Sequence, residues 1–158
     1  MDTVPTLLFG RNKLFREGNV EKIYWAIVKN HPGLTGGELC HHLRKNEKQN
    51  KSYAYDKPAR GAKLARLAYT VLSRSDNYSL LEVKLETGRH HQIRCQLSKM
   101  GWPVRGDLKY GFPRSNTDAG ISLHARKIAF IHPVKKERME IIAGPPADNL
   151  WSVLAGSL

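Results

Sequence analysis

Arg89, His90, His91 and Arg94 stand close together where an apolar, β-prone run ends and a run with helical spacing begins. Two guanidinium groups at a helix start place rigid, permanent positive charge where unpaired backbone amides already favour anions. That chemistry suits gripping a phosphate, or keeping a nearby carboxylate ionised inside a closed site. A solvated basic helix start would carry the same residues with no site at all. Cys40, His41 and His42, taken with His90, His91 and Cys95, have the side-chain types of a metal centre. Their spacings follow no common ligand pattern, so no metal is expected. The chain has no G-x-S-x-G elbow, phosphate-binding P-loop or G-x-G-x-x-G turn, and readings built on those motifs drop out.

The elements that must hold these residues follow from periodicity and punctuation. Residues 20–28 are rich in β-branched and aromatic side chains, end at Asn30-His31-Pro32-Gly33, and predict a strand. Residues 65–73 and 78–85 predict two more, joined by the turn Arg74-Ser75-Asp76-Asn77. Residues 91–100 predict a helix, with Ile93, Leu97 and Met100 on one face and Gly101 as its stop. Trp102-Pro103-Val104 reads as a short extended piece and 106–119 as loop. A second strand pair is predicted at 122–131 and 138–142, with a closing helix over 147–154. Upstream, 7–9 reads as a clipped strand and 12–17 as a turn or two of helix. Residues 44–66 carry eight basic side chains with Tyr53 and Tyr55 among them, which predicts a solvated loop or an edge hairpin. Strands in adjacent pairs with few helices point to an α+β domain, a mostly antiparallel mixed sheet with a few flanking helices.

Composition bounds the partners. The chain has 158 residues, 41% of them hydrophobic, which suits one domain over 1–158 with a single core. There are 26 Lys+Arg against 14 Asp+Glu, a formal charge of +12. A field of that sign favours polyanions such as nucleic acid, acidic membrane surfaces or phosphorylated ligands. No stretch reaches the length of a membrane span and Met1-Asp2 opens no signal peptide, so no membrane partner and a cytoplasmic location are expected. Cys40 and Cys95 lie far apart without C-x-x-C spacing, which argues against a disulfide framework.

Five motifs occur in order. They are Glu21-Lys22-Ile23-Tyr24-Trp25-Ala26-Ile27-Val28; Thr87-Gly88-Arg89-His90-His91-Gln92-Ile93-Arg94; Gly101-x-Pro103-x-x-Gly106-Asp107-x-x-Tyr110-Gly111; Leu123-His124-Ala125 with Phe130-x-His132-Pro133; and a proline-bearing ending at Asp148 and Trp151. Together they resemble the RluA-type RNA pseudouridine synthases over roughly residues 20–155. The resemblance implies the catalytic-domain fold of that family, RNA (ribosomal or transfer) as partner, and cofactor-free conversion of uridine to pseudouridine. It implies that Tyr24 is the platform for a flipped base, that Leu123 packs against the base pocket, and that Arg94 is the salt-bridge partner keeping a catalytic aspartate ionised. Arg89 and His91 are implied to shape the motif and contact RNA. The basic stretch adds Lys48, Lys51, Lys57 and Arg60 as expected RNA contacts. Asp107 is expected to be structural.

One part of the pattern departs from the family. The aspartate belongs to H-R-L-D-x-x-[TS]-[ST]-G, upstream of a strand matched here by Leu7-Leu8-Phe9-Gly10-Arg11. Asp2 lies near the required place, but no His-Arg-Leu precedes it and Thr3-Val4-Pro5-Thr6 replaces the small-residue turn. Two expectations follow. Either Asp2 serves as a displaced nucleophile in an active enzyme, or the chain is a truncated or inactive relative that acts only as an RNA-binding module.

Overall fold

The computed structural model describes residues 20–156 and 158. Asp2, the strand expected at 7–9 and the helical turn expected at 12–17 lie outside the described residues. Strands β1 (Val20–Lys29), β2 (Gly36–Asn46), β3 (Lys51–Tyr55), β4 (Lys63–Arg74), β5 (Tyr78–Leu85), β6 (Leu123–Ile131) and β7 (Arg138–Ile142) form one sheet in the order β3-β2-β4-β5-β1-β6-β7. Every pairing among them is antiparallel, so the sheet is not mixed within this region. Helices α1 (Gln92–Lys99) and α2 (Asn149–Ala155) flank it. The architecture is the α+β class that the strand pairs predicted.

Strand β1 shows why its sequence lacks alternation. Side chains on a strand point to opposite faces in turn, so a strand covered on both sides must be apolar throughout. Tyr24, Ala26 and Val28 join the cluster that holds Ile93 and Leu97 of α1, with Leu67, Leu81 and Val83 from neighbouring strands. Trp25 and Ile27 face the other way, against Leu80 and the Trp151 and Leu154 side chains of α2. Burying side chains of that size stabilises the fold by roughly 1.5–3 kcal/mol each. Helix α1 therefore lies on the Tyr24 face, and α2 closes the opposite one.

The end of α1 is set by Gly101, whose φ of +88° disfavours a side chain. The Gly101 amide donates to the Ser98 carbonyl at 3.0 Å and the Trp102 amide to Leu97 at 2.9 Å, a left-handed helix stop. Val104 then pairs with Val28 in an isolated bridge, extending the sheet's reach beyond β1. The basic stretch begins as an edge hairpin of β2 and β3 rather than a loop; Leu43 of β2, Ala54 of β3 and Ala65 of the adjoining β4 pack with Cys95 and Tyr110. Sequence reading placed no strand at 36–43, because Gly36-Gly37 and His41-His42 break the apolar alternation.

Candidate functional site

The 87–94 motif is wired into the fold almost entirely by its own side chains. Gln92, which is buried, accepts at Oε1 from Thr87 Oγ1 (2.8 Å) and from the Arg89 amide (2.9 Å), and donates from Nε2 to the Arg66 carbonyl (3.0 Å). Three bonds from one amide thus fix the turn that leaves β5 and tie it to β4. The cap of α1 is His91, held in the left-handed region at φ 53°. Its Nδ1 lies 2.8 Å from the Tyr110 hydroxyl, which itself accepts from the Ser52 amide at 2.9 Å.

Burial first, then the positive charges of Arg94, His90 and Lys109, push the His91 pKa down to about 4. Burial likewise pushes the Tyr110 phenol up to about 12. The pair is therefore neutral near pH 7 and works as a fixed hydrogen bond rather than a proton relay. His90 stacks on His91 with ring centroids 3.8 Å apart, and its Nδ1 lies 2.9 Å from Ser52 Oγ. Through Ser52 the motif is tied to the edge hairpin.

Arg94 makes the strongest pair. Its Nε meets Asp107 Oδ2 at 2.7 Å and its terminal nitrogen meets Oδ1 at 2.9 Å, and Asp107 is 1% exposed. The guanidinium also lies 4.9 Å from the Tyr110 ring centroid. A planar fork bound on two nitrogens has its orientation fixed. Asp107 in turn anchors a short 3₁₀ turn at Leu108–Tyr110, its carbonyl accepting from the amides of Tyr110 and Phe112. The turn enters through Gly106, at φ +86°, where an added Cβ would sit 2.5 Å from the Asn116 amide nitrogen. Asp107 thus has the structural part expected of it. Among the described residues it is also a carboxylate that Arg94 grips; the Asp2 toward which the sequence pointed Arg94 lies outside the described residues.

Tyr24 and Leu123 share the core cluster beneath α1. Tyr24 pairs with Val83 of β5 and Ala125 of β6, and the β1–β6 register shifts between Ile23 and Tyr24. Such an irregularity re-aims the side chain beside it. Leu123 lies two residues from Ala125 and so on the same face as Tyr24. The ring of Tyr24 is 3% exposed, so a base that stacks on it must displace atoms now lying over it.

The expected RNA contacts divide. Lys48, Lys57 and Arg60 are exposed, in the β2–β3 turn and the β3–β4 connection. Arg89 is exposed, with Nε donating to the Leu64 carbonyl at 2.9 Å. His91 is drawn inward and neutral. Lys51 lies over two rings, 5.2 Å from Tyr53 and 5.5 Å from Tyr110. Sequence reading held Tyr110 and Lys22 within motifs and gave neither a role. Tyr110 joins β3, α1 and the 3₁₀ turn, and the Lys22 ammonium sits 3.1 Å from where a Cβ on Gly88 would be; both contacts needed the fold. Among the described residues, no group of three His, Cys, Asp or Glu is arranged to hold a metal, and His41 is instead buried against Gln96.

Comparison with known proteins agrees with this framework. The RNA pseudouridylate synthase family model matches residues 7–99. An uncharacterized RNA pseudouridine synthase of Mycobacterium bovis is 35% identical over 140 residues, covering 86% of this chain and 44% of the relative. The ribosomal large subunit pseudouridine synthase D of Zymomonas mobilis is 32% identical over 142 residues, covering 85% of this chain and 44% of its own length. The chain spans about half the length of the curated relatives it matches. The human RNA pseudouridylate synthase domain containing 4 superposes with a TM-score of 0.73 at 24% identity, over 91% of this chain and 65% of that one; it shares the fold. With ordered motifs, matching sheet and family model in agreement, the chain belongs to the RNA pseudouridylate synthase family.

Proposed function

We propose that the chain isomerises uridine to pseudouridine in RNA, in the cytoplasm, with ribosomal or transfer RNA as substrate. The carrying observation is that one face of the sheet gathers Tyr24, Leu123 and the helix bearing Arg94. The reaction breaks the bond from ribose C1′ to uracil N1, forms one from C1′ to C5, and moves a proton from C5 to N1, so it needs no cofactor. A target base must leave its stack and enter an enclosed pocket. Tyr24 supplies the flat surface for it and Leu123 an apolar wall. Arg94, oriented by Asp107, supplies fixed positive charge that favours an ionised nucleophilic carboxylate. Asp2 is the proposed nucleophile. The name of the Zymomonas relative supports ribosomal RNA as the first substrate to assay.

The test is to incubate the chain with ribosomal and transfer RNA and map new pseudouridines by carbodiimide-blocked reverse transcription. The wild type is expected to give discrete stops and Asp2→Asn none. Tyr24→Phe, which keeps the stacking ring and loses the hydroxyl proposed to assist the final proton removal from C5, should bind RNA normally and form product slowly. Absence of any wild-type stop at high protein concentration would overturn the catalytic reading and leave an RNA-binding relative in its place.

A further inference from the structure

Apart from the Tyr24 face, the molecule has an open groove of about 530 Å³ between β3, the C-terminal half of α1 and the 3₁₀ turn. Three ammonium groups line it, Lys51 from β3, Lys99 from α1 and Lys109 from the turn, and among the described residues no carboxylate does. The nearest counter-charge that touches one of them is Asp56, 4.0 Å from Lys99. Lys109 donates to the carbonyls of Gln49 and Asn50 at 3.3 and 3.0 Å, which stations it across the hairpin turn. Tyr53 and Tyr110 add two rings, each beside the Lys51 ammonium. A second groove, at Lys29, His31, Tyr78 and Arg114, is smaller, at about 440 Å³, and carries Asp76 in its wall. Of these two grooves, only the first has no carboxylate among the described residues of its lining.

Cations on three separate elements around an aromatic floor match a single-stranded polyanion whose backbone tracks the charges while its bases stack. We propose that this groove binds a single-stranded segment of RNA flanking the target uridine, with Lys51, Lys99 and Lys109 on phosphates and Tyr53 stacking on a base. The inference rests on the chain being an RNA-modifying protein and adds where the RNA lies. Tyr110 stands at the junction, with its ring in the groove wall and its hydroxyl on His91 of the motif. RNA in the groove therefore runs directly past the helix that carries Arg94. The exposed Lys48, Lys57 and Arg60 fall outside this lining.

The experiment measures binding of a fluorescein-labelled twenty-nucleotide oligouridylate by anisotropy across a series of KCl concentrations. Each phosphate contact on a single strand contributes a slope of about 0.7 in log affinity against log salt. The double variant Lys51→Gln/Lys99→Gln is expected to lower the slope by about 1.4. The double variant Lys135→Gln/Lys136→Gln removes equal charge from the exposed β6–β7 turn and is expected to leave the slope unchanged. Tyr53→Ala should weaken binding roughly tenfold while Tyr53→Phe does not, since base stacking needs only the ring. Lys109→Gln gives an independent reading should the first double variant lose its fold by circular dichroism. Equal loss of slope in both double variants, or none in the groove variants, overturns the groove and leaves the isomerase reading intact if the wild type still makes pseudouridine. A wild type that neither binds the oligonucleotide nor modifies RNA overturns both.

Discussion

Replacing Asp107 with Asn keeps its shape and removes the charge that two Arg94 nitrogens now share. Asp107 is 1% exposed and the Arg94 side chain 17%, so water makes good little of what the pair loses. Losing one partner of a buried pair costs roughly 3–5 kcal/mol, and the partial exposure of Arg94 sets the lower end, about 3 kcal/mol. For a chain of this length that is a fall in melting temperature of roughly 6–12 °C. The turn at Leu108–Tyr110 should loosen first, because the Asp107 carbonyl accepts from Tyr110 and Phe112. Urea unfolding of Asp107→Leu, Arg94→Met and the double variant supplies the decisive cycle. An apolar pair of similar volume leaves neither member of this pair facing a lost partner, so the double variant should recover at least about 2 kcal/mol relative to the sum of the single changes. It should regain the fold and still fail to make pseudouridine, because the fixed charge for the nucleophile is gone. Additive single costs, or an Asp107→Asn protein melting within 2 °C of wild type (under about 1 kcal/mol), would refute the claim that this pair holds the turn. Restored turnover in the double variant would refute a catalytic part for Arg94.

Two further outcomes follow from the same motif. Gln92→Ala removes three side-chain hydrogen bonds; the Arg66 carbonyl keeps the Glu86 amide and the Thr87 hydroxyl keeps Arg66, so mainly the Arg89 amide loses its partner and the cost should be about 1–2 kcal/mol by chemical denaturation. His91 has its pKa pushed from 6.5 in the unfolded chain to about 4 in the fold, chiefly by burial. The unfolded chain therefore takes up the proton first on acidification, and the stability linked to His91 is full above pH 6.5 and lost progressively down to about pH 4. His91→Asn should flatten the stability profile in that window, with His41 and His90, also shifted down, supplying what slope remains. A variant whose profile matches the wild type would show that His91 is not held neutral.

Much of the fold was legible because its signals were local. The 78–85 and 138–142 strands coincide with β5 and β7, and Gly101 ends α1 where the sequence placed its stop. Strand β2 was not legible. Its inward positions, Leu39, His41 and Leu43, include a histidine that reads as polar until the fold buries it against Gln96 of α1. The site divides in the same way. Tyr24 and Leu123 were found by motif, and the sheet brings them to one face. The pairing of Arg94 with Asp107 joins residues on two elements, and a linear reading supplies both without the contact between them. The groove is the extreme case, since Lys51, Lys99 and Lys109 are separated along the chain and converge only when β3, α1 and the 3₁₀ turn pack.

This division bears on what the 87–94 motif is for. Thr87 binds Gln92, Gln92 binds the backbone of Arg66 and Arg89, His90 meets Ser52, His91 meets Tyr110, and Arg94 grips Asp107. Each of those side chains has a neighbour inside the protein, and the two histidines are shifted toward their neutral forms. The segment, in which Arg89 and His91 were expected both to shape the motif and to contact RNA, is a bracket that ties α1 to the edge hairpin and the 3₁₀ turn. Its part is geometric: it holds Lys99 and Tyr110 beside Lys51, and Arg94 against Asp107 and the Tyr110 ring. Weakening the bracket should then disturb RNA binding and catalysis together. Removing the groove lysines should disturb binding while the pocket keeps its shape.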